Sequence, residues 1–98
     1  MKFTSKRIKL LEIYFKAVAN KKRIGILIII DNKPNLNVEK IAKKMKIQYQ
    51  TAATHIQRLE KAGLIYKRYS DLEVLHTTTP KGKEFLKFFE KILLSNYE

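Results

Sequence analysis

Between Ile47 and Leu64 the chain reads I-Q-Y-Q-T-A-A-T-H-I-Q-R-L-E-K-A-G-L, and the side chains with most to offer chemically are gathered there. On a helical wheel Ala52, Ile56 and Leu59 fall at i, i+4 and i+7 and make one apolar stripe. Gln50, Thr54, Gln57 and Lys61 take the opposite side, with Thr51 and Arg58 beside them. Amides, hydroxyls and a guanidinium, with no acid before Glu60, suit the edges of bases and the oxygens of phosphates. A glutamine amide can pair with the edge of adenine, and an arginine fork with guanine or phosphate. An ordinary solvated helix face mixes in more Glu and Lys. The stretch is therefore expected to be a DNA-reading helix, residues 48–62, with Gln48, Gln50, Thr51, Thr54, Gln57 and Arg58 as its contacts. Tyr49 either packs beneath the start of the helix or reaches a thymine methyl. His55 completes the set on the flank, where a hydrogen-bonded packing role is favoured over a ligand role.

Other chemistries find little support. The chain has no cysteine, which excludes disulfides, thiolate metal sites and a cysteine nucleophile. Its two histidines, His55 and His76, have no carboxylate neighbours at ligand spacing, so no metal and no cofactor is called for. His55-x-x-Arg58 resembles a fragment of a tyrosine-recombinase active site, and five tyrosines are available. Ninety-eight residues are too few for that catalytic domain, however, and no nucleophile has a positioned base, so an enzyme is not expected.

The whole chain is strongly basic, with a formal charge of +12, and such a balance favours a polyanionic partner because bound phosphates release condensed counterions. The charge is lopsided. Residues 1–46 hold 13 Lys/Arg against three acids, whereas residues 47–98 hold eight against six. Long-range attraction thus comes from the first half, and the polar helix lies in the nearly neutral second half. Length allows one domain, residues 1–98. No apolar stretch is long enough to span a bilayer, and residues 1–15 lack the apolar run of a signal peptide, so a cytoplasmic, nucleoid-associated protein with no membrane partner is expected.

The elements that must position the helix follow in order. Ser5 can cap a first helix, residues 5–19, whose only polar strip is Lys9, Glu12 and Lys16. A helix apolar over most of its circumference has two sides to bury. Asn20-Lys21-Lys22-Arg23 breaks the pattern, and Ile24–Ile30, which periodicity cannot assign, reads from its context as a short buried helix. Residues 31–37 form a loop. Asn37 caps a short amphipathic helix carrying Val38, Ile41, Ala42 and Met45, and Lys46-Ile47 make a tight turn into the polar helix. Residues 37–63 thereby have the form of a helix-turn-helix. Gly63 ends it in a left-handed conformation. Residues 64–69 and 74–78 read as two strands around a turn at 70–73, a wing spanning 64–79. Thr79-Pro80 start a last helix, 80–97, again with more apolar residues than one stripe needs. The expected fold is mainly α with a small two-stranded antiparallel β-wing. It has five helices, and the terminal ones, 5–19 and 80–97, form a homodimer interface.

Three segments carry a resemblance. Y-F-K-A-V-A-N-K-K-R-I-G-I-L is similar to the ArsR-type segment A-L-A-(D/N)-P-x-R-x-x-I-L. V-E-K-I-A-K-K-M-K-I-Q-Y-Q-T-A-A-T-H-I-Q-R-L-E-K-A-G-L-I is similar to the helix-turn-helix of the same regulators, and T-T-P-K-G-K-E-F-L to the segment after the wing in MarR-like proteins. Over residues 14–90 the chain thus resembles the winged helix-turn-helix transcriptional regulators of the ArsR and MarR type, of the small archaeal or archaeal-virus kind. The resemblance implies a homodimer on double-stranded DNA at a pseudo-palindromic operator. Residues 48–58 would enter the major groove, and residues 66–76 would lie along the backbone or minor groove, with Lys67, Arg68, Tyr66, Tyr69 and His76 as backbone contacts.

The chain departs from the family pattern in four places. Lys46 stands where such turns often carry Gly, Lys21 or Lys22 replaces the family's Pro, Asp71 and Glu73 place acids at the wing tip, and the cysteines of metal sensors are absent. A second function class is an architectural, chromatin-like protein with little sequence preference, drawn by its basic first half. A third is a module that binds protein.

Overall fold

Residues 1–95 are described by a computed structural model, in which five helices and a two-stranded sheet follow one another. The first helix, α1 (Ser5–Val18), is capped by Thr4 rather than by the expected Ser5, the Thr4 hydroxyl accepting the Arg7 N–H at 3.3 Å. In the second, α2 (Lys21–Asn32), the Asn20 carboxamide oxygen accepts the N–H groups of Lys22 and Arg23. The basic run expected as a break is therefore a cap and the first turn. A capping Asn satisfies the orphan donors of whatever follows it, and the helix begins before its apolar run does. α2 also continues through Asn32, which shortens the expected loop, and its inner face buries Ile26, Leu27 and Ile30.

The next two helices are α3 (Val38–Met45) and α4 (Tyr49–Lys61), with Asn37 capping α3 through the Lys40 N–H at 2.9 Å. Strands β1 (Ile65–Ser70) and β2 (Glu73–Thr78) pair antiparallel from Ile65↔Thr78 to Ser70↔Glu73. Ser70 and Glu73, expected in the turn, belong to the ladder. The reversal needs only Asp71 and Leu72, with Asp71 at φ 50° as a two-residue hairpin demands. The last helix, α5 (Pro80–Leu93), starts from Thr79, whose hydroxyl accepts the Gly82 N–H at 3.1 Å. The expected helix ran to residue 97, and residues 96 and 97 lie outside the described residues.

Two backbone devices set the geometry of the helix-turn-helix. After α3, Lys46 adopts φ 58°, and the N–H groups of Lys46 and Ile47 return to the carbonyls of Lys43 and Ala42. After α4, Gly63 adopts φ 75°, and the N–H groups of Gly63 and Leu64 return to those of Glu60 and Leu59. Both are left-handed caps with the same pair of reverse bonds. At Lys46 the conformation costs about 1 kcal/mol that a glycine would not incur.

The core that holds α4 in place consists of Ile26, Leu27, Ile30, Ile41, Ile56, Leu59, Leu64 and Ile65. The wing is tied down at its base. Leu36 bridges to His76 through backbone bonds, and the His76 Nδ1–H donates to the Leu36 carbonyl at 2.8 Å. His76 is buried, which corrects its expected role as a backbone contact: alternation along β2 turns its ring inward. Thr79 clamps the other end, its hydroxyl donating to the Gly63 carbonyl at 2.6 Å and its N–H to Leu64.

The terminal helices carry unspent apolar surface. Of the fourteen residues of α1 only Ala17 and Val18 are buried, while Ile8, Leu11, Ile13 and Phe15 stay exposed. Phe15 stacks edge-on against Phe85 and Phe88 of α5, at centroid distances of 5.7 and 6.4 Å, and Lys81 lies over the Tyr14 ring. On α5, Phe88, Ile92 and Leu93 also remain exposed.

Candidate nucleic-acid interface

α4 divides as its sequence demands. Ala52, Ile56 and Leu59 are buried, and Gln48, Gln50, Thr54, Gln57 and Arg58 are exposed. Thr51 and His55 are half-buried on the flanks. Tyr49 is 57% exposed, so of its two expected places it takes the outer one. The Thr54 hydroxyl donates to the Gln50 carbonyl at 3.0 Å, which leaves its lone pairs free to accept.

A groove of about 330 Å³ runs between α4 and the wing, walled by Gln50, Thr54 and Gln57 on one side and by Lys67 and Val74 on the other. His76 also lines it. The structure therefore brings Tyr49, Gln50, Thr54, Gln57 and Lys67 together around one concavity. Arg68, adjacent to Lys67 on β1, points to the other face of the strand, as successive strand residues must. There its guanidinium donates to the Asn35 carboxamide at 2.8 Å. Lys67 and Arg68 thus serve different surfaces, a distinction invisible when they are read as one basic pair.

Two acids near this face are occupied. Glu60 pairs with Lys67 at 3.4 Å, and Glu73 accepts the Asn37 carboxamide N–H at 2.8 Å. Part of the negative charge expected at the wing tip is thus folded back onto the cap of α3. Asp71 and Leu72 remain exposed at the hairpin.

His55 sits on the side of α4 that faces α1 and α2. Its Nδ1 lies 3.1 Å from Nη1 of Arg23, and the same guanidinium donates to the carbonyls of Ala17 and Lys16. Arginine can only donate, so Nδ1 accepts and the imidazole is neutral. Burial, then Arg23, Lys22 and Arg58 in turn, hold the His55 pKa below the ordinary histidine value. Three cations therefore surround a ring that cannot easily become a fourth.

The MarR family model matches residues 20–71, from the Asn20 cap of α2 to the hairpin of the wing. The chain belongs to the MarR family. It is thus a winged-helix protein of a family of transcriptional regulators. Several solved structures share the fold along almost the whole length. HlyU from Vibrio cholerae aligns with a TM-score of 0.80 at 19% identity, covering 94% of this chain and 100% of that one. NolR from Sinorhizobium fredii aligns at 0.81 and 17% identity, covering 94% and 95%. The homodimeric winged helix-turn-helix DNA-binding domain Mb0332 from Mycobacterium bovis, described as possibly of the ArsR family, aligns at 0.77 and 23% identity, covering 95% and 89%. No curated protein matches the chain.

For this MarR-family chain, sequence reasoning missed Arg23 and Asn35. Arg23 looked like one more charge in a basic run, and only the end of α1 folding back beside it shows that its guanidinium is a connector. The signal lay in the Asn20 cap, which fixes Arg23 in the first turn of α2. Asn35, at φ 70° in the loop before α3, gave no sign that it would hold the wing arginine.

Proposed function

We propose that this protein is a homodimeric, sequence-specific regulator that binds double-stranded DNA, with residues 48–62 in the major groove of a pseudo-palindromic operator. The observation that carries this reading is the outer face of α4. Gln50, Thr54 and Gln57 stand exposed in line, beside a groove whose wing side offers Lys67. Amide and hydroxyl groups at base-edge spacing read sequence, whereas coating a polyanion needs only lysines.

Gln48, Tyr49, Gln50, Thr51, Thr54, Gln57 and Arg58 are assigned to the bases and nearest phosphates. Lys67 is assigned to the groove and Arg68 to the flanking backbone. His55 acts from behind, by holding the α4 flank to Arg23. The exposed lysines of α3, Lys40, Lys43 and Lys44, with Lys46 in the turn, supply sequence-independent attraction.

The dimer is assigned to α1 and α5, whose exposed Ile8, Leu11, Phe15, Phe88 and Ile92 exceed what a monomer needs to show. The Mycobacterium bovis domain of the same fold is homodimeric. We place the protein in the cytoplasm on the nucleoid, and read it as a binding protein rather than an enzyme.

An architectural role with little sequence preference is favoured by one observation, the concentration of charge in residues 1–46. Competition binding separates the two. A specific regulator keeps a short duplex against a large excess of unrelated DNA, while an architectural protein exchanges freely and shows only a steep salt dependence.

A further inference from the structure

On the flank of α4 away from the wing groove, the end of α1, the first turn of α2 and the last turn of α4 enclose a second recess of about 270 Å³. Ile13, Ala17 and Ala62 give it an apolar lining, and Lys16, Arg23, Arg58 and Lys61 line it with no carboxylate among them. The four cations come from three helices, so they converge through the fold rather than by adjacency in sequence. Arg23 is half-buried and fixed by its bonds to Ala17, Lys16 and His55. Arg58 and Lys61 have no ion-pair partner among the described residues, and Lys16 has only an exposed contact with Glu12 at 3.7 Å.

Gathering like charges in a recess is unfavourable in the empty molecule, and Arg23 and His55 both register it: burial first, then neighbouring cations, disfavour their charged forms. A multivalent anion adds an attraction to each of these cations that offsets their mutual repulsion. Arginine forks and lysine ammonium groups are the usual partners of phosphate oxygens, and several cations around one cavity suit more than one negative charge. Walls from three helices fit a compact anion better than the convex backbone of a duplex.

We propose that this recess binds a small phosphoanhydride anion, of the inorganic pyrophosphate or nucleoside diphosphate class, through Lys16, Arg58 and Lys61, over the apolar lining of Ile13, Ala17 and Ala62. The site lies apart from the wing groove; it shares Arg58 with the proposed DNA face and is tested through Lys16 and Lys61, which that face does not use.

The test is calorimetric titration of the full chain with inorganic pyrophosphate at constant ionic strength, without DNA. The expected result is saturable binding of one anion per chain. Lys16→Ala and Lys61→Ala should each weaken it by about tenfold, the scale of one lost charge-assisted contact. Lys33→Ala, an exposed lysine after α2 outside the recess, should leave it unchanged, and thermal melts of each variant confirm the fold. Heat that never saturates, or equal loss in all three variants, reflects diffuse attraction to a basic chain and overturns the proposal. A duplex titration forms the second arm. If Lys16→Ala and Lys61→Ala weaken DNA binding as much as pyrophosphate binding, the cluster is a seat for backbone phosphates, and the proposal fails.

Discussion

Arg23 and His55, 32 positions apart, meet at 3.1 Å, and through that contact the first helix is joined to α4. The guanidinium caps the last carbonyls of α1 with two of its N–H groups and presents a third to Nδ1 of His55. The end of the proposed dimerisation helix and the flank of the proposed reading helix thus share one side chain. Replacing Arg23 by Ala leaves two carbonyls and a ring nitrogen without their donor, and should cost roughly 1–3 kcal/mol in urea denaturation.

The same contact predicts a pH dependence. The His55 pKa is lowered in the folded chain, so the unfolded chain binds more protons as acid is added. Its contribution to stability is complete above the ordinary histidine value of 6.5 and is lost as pH falls below it toward the folded value. Melting temperatures of the wild type and His55→Gln, measured between about pH 7.5 and 5, should converge or cross on the acid side. Parallel curves would show that His55 is not the titrating group.

The two left-handed caps make an opposed pair. Lys46→Gly removes a strained conformation and should stabilise the protein by about 1 kcal/mol, whereas Gly63→Ala introduces one and should destabilise it by a similar amount. No atom lies within 4 Å of a Cβ built on Gly63, so the loss there is purely conformational. Chemical denaturation measures both.

Gly82 is restricted for a different reason. A Cβ at this position would collide with the Leu64 carbonyl and come within 2.7 Å of the Thr78 side chain. Gly82→Ala should push α5 off the α4–β1 corner and cost roughly 1–3 kcal/mol, accompanied by a loss of any assembly that α5 supports. Near-native stability for Gly82→Ala would contradict the close approach.

The apolar surplus of α1 and α5 gives the assembly prediction. Phe15 packs on Phe85 and Phe88 yet remains nearly half exposed, and so does Phe88. Phe88→Asp places a charge on the proposed interface and should shift sedimentation equilibrium from dimer to monomer at micromolar concentration. A chain that sediments as a monomer before substitution would remove the dimer from the account.

Elements with one dominant physical signal were legible in the sequence. The stripe of Ala52, Ile56 and Leu59, the Asn37 and Thr79 caps and the glycine stop at Gly63 each declare themselves through local chemistry. The first turn of α2 did not, because three cations after Asn20 look like solvated loop until the cap is counted. His76 misled for a related reason: alternation along β2 fixes its side only once the register with β1 is known, and a one-residue shift at Ser70 and Glu73 changes the answer. Lys67 and Arg68, neighbours in sequence, point to opposite faces of one strand, which only the wing's packing against Glu60 and Asn35 makes plain. The Arg23–His55 contact depends on tertiary folding alone, and no local pattern announces it.

The most direct test of the central claim is a nuclease footprint of the full chain on genomic fragments, including the region upstream of its own gene, with Arg58→Ala in parallel. The account predicts protection of a short, two-fold-related sequence, lost by roughly 1–3 kcal/mol of affinity in Arg58→Ala. Uniform coverage of every fragment, indifferent to sequence and to Arg58, would contradict it.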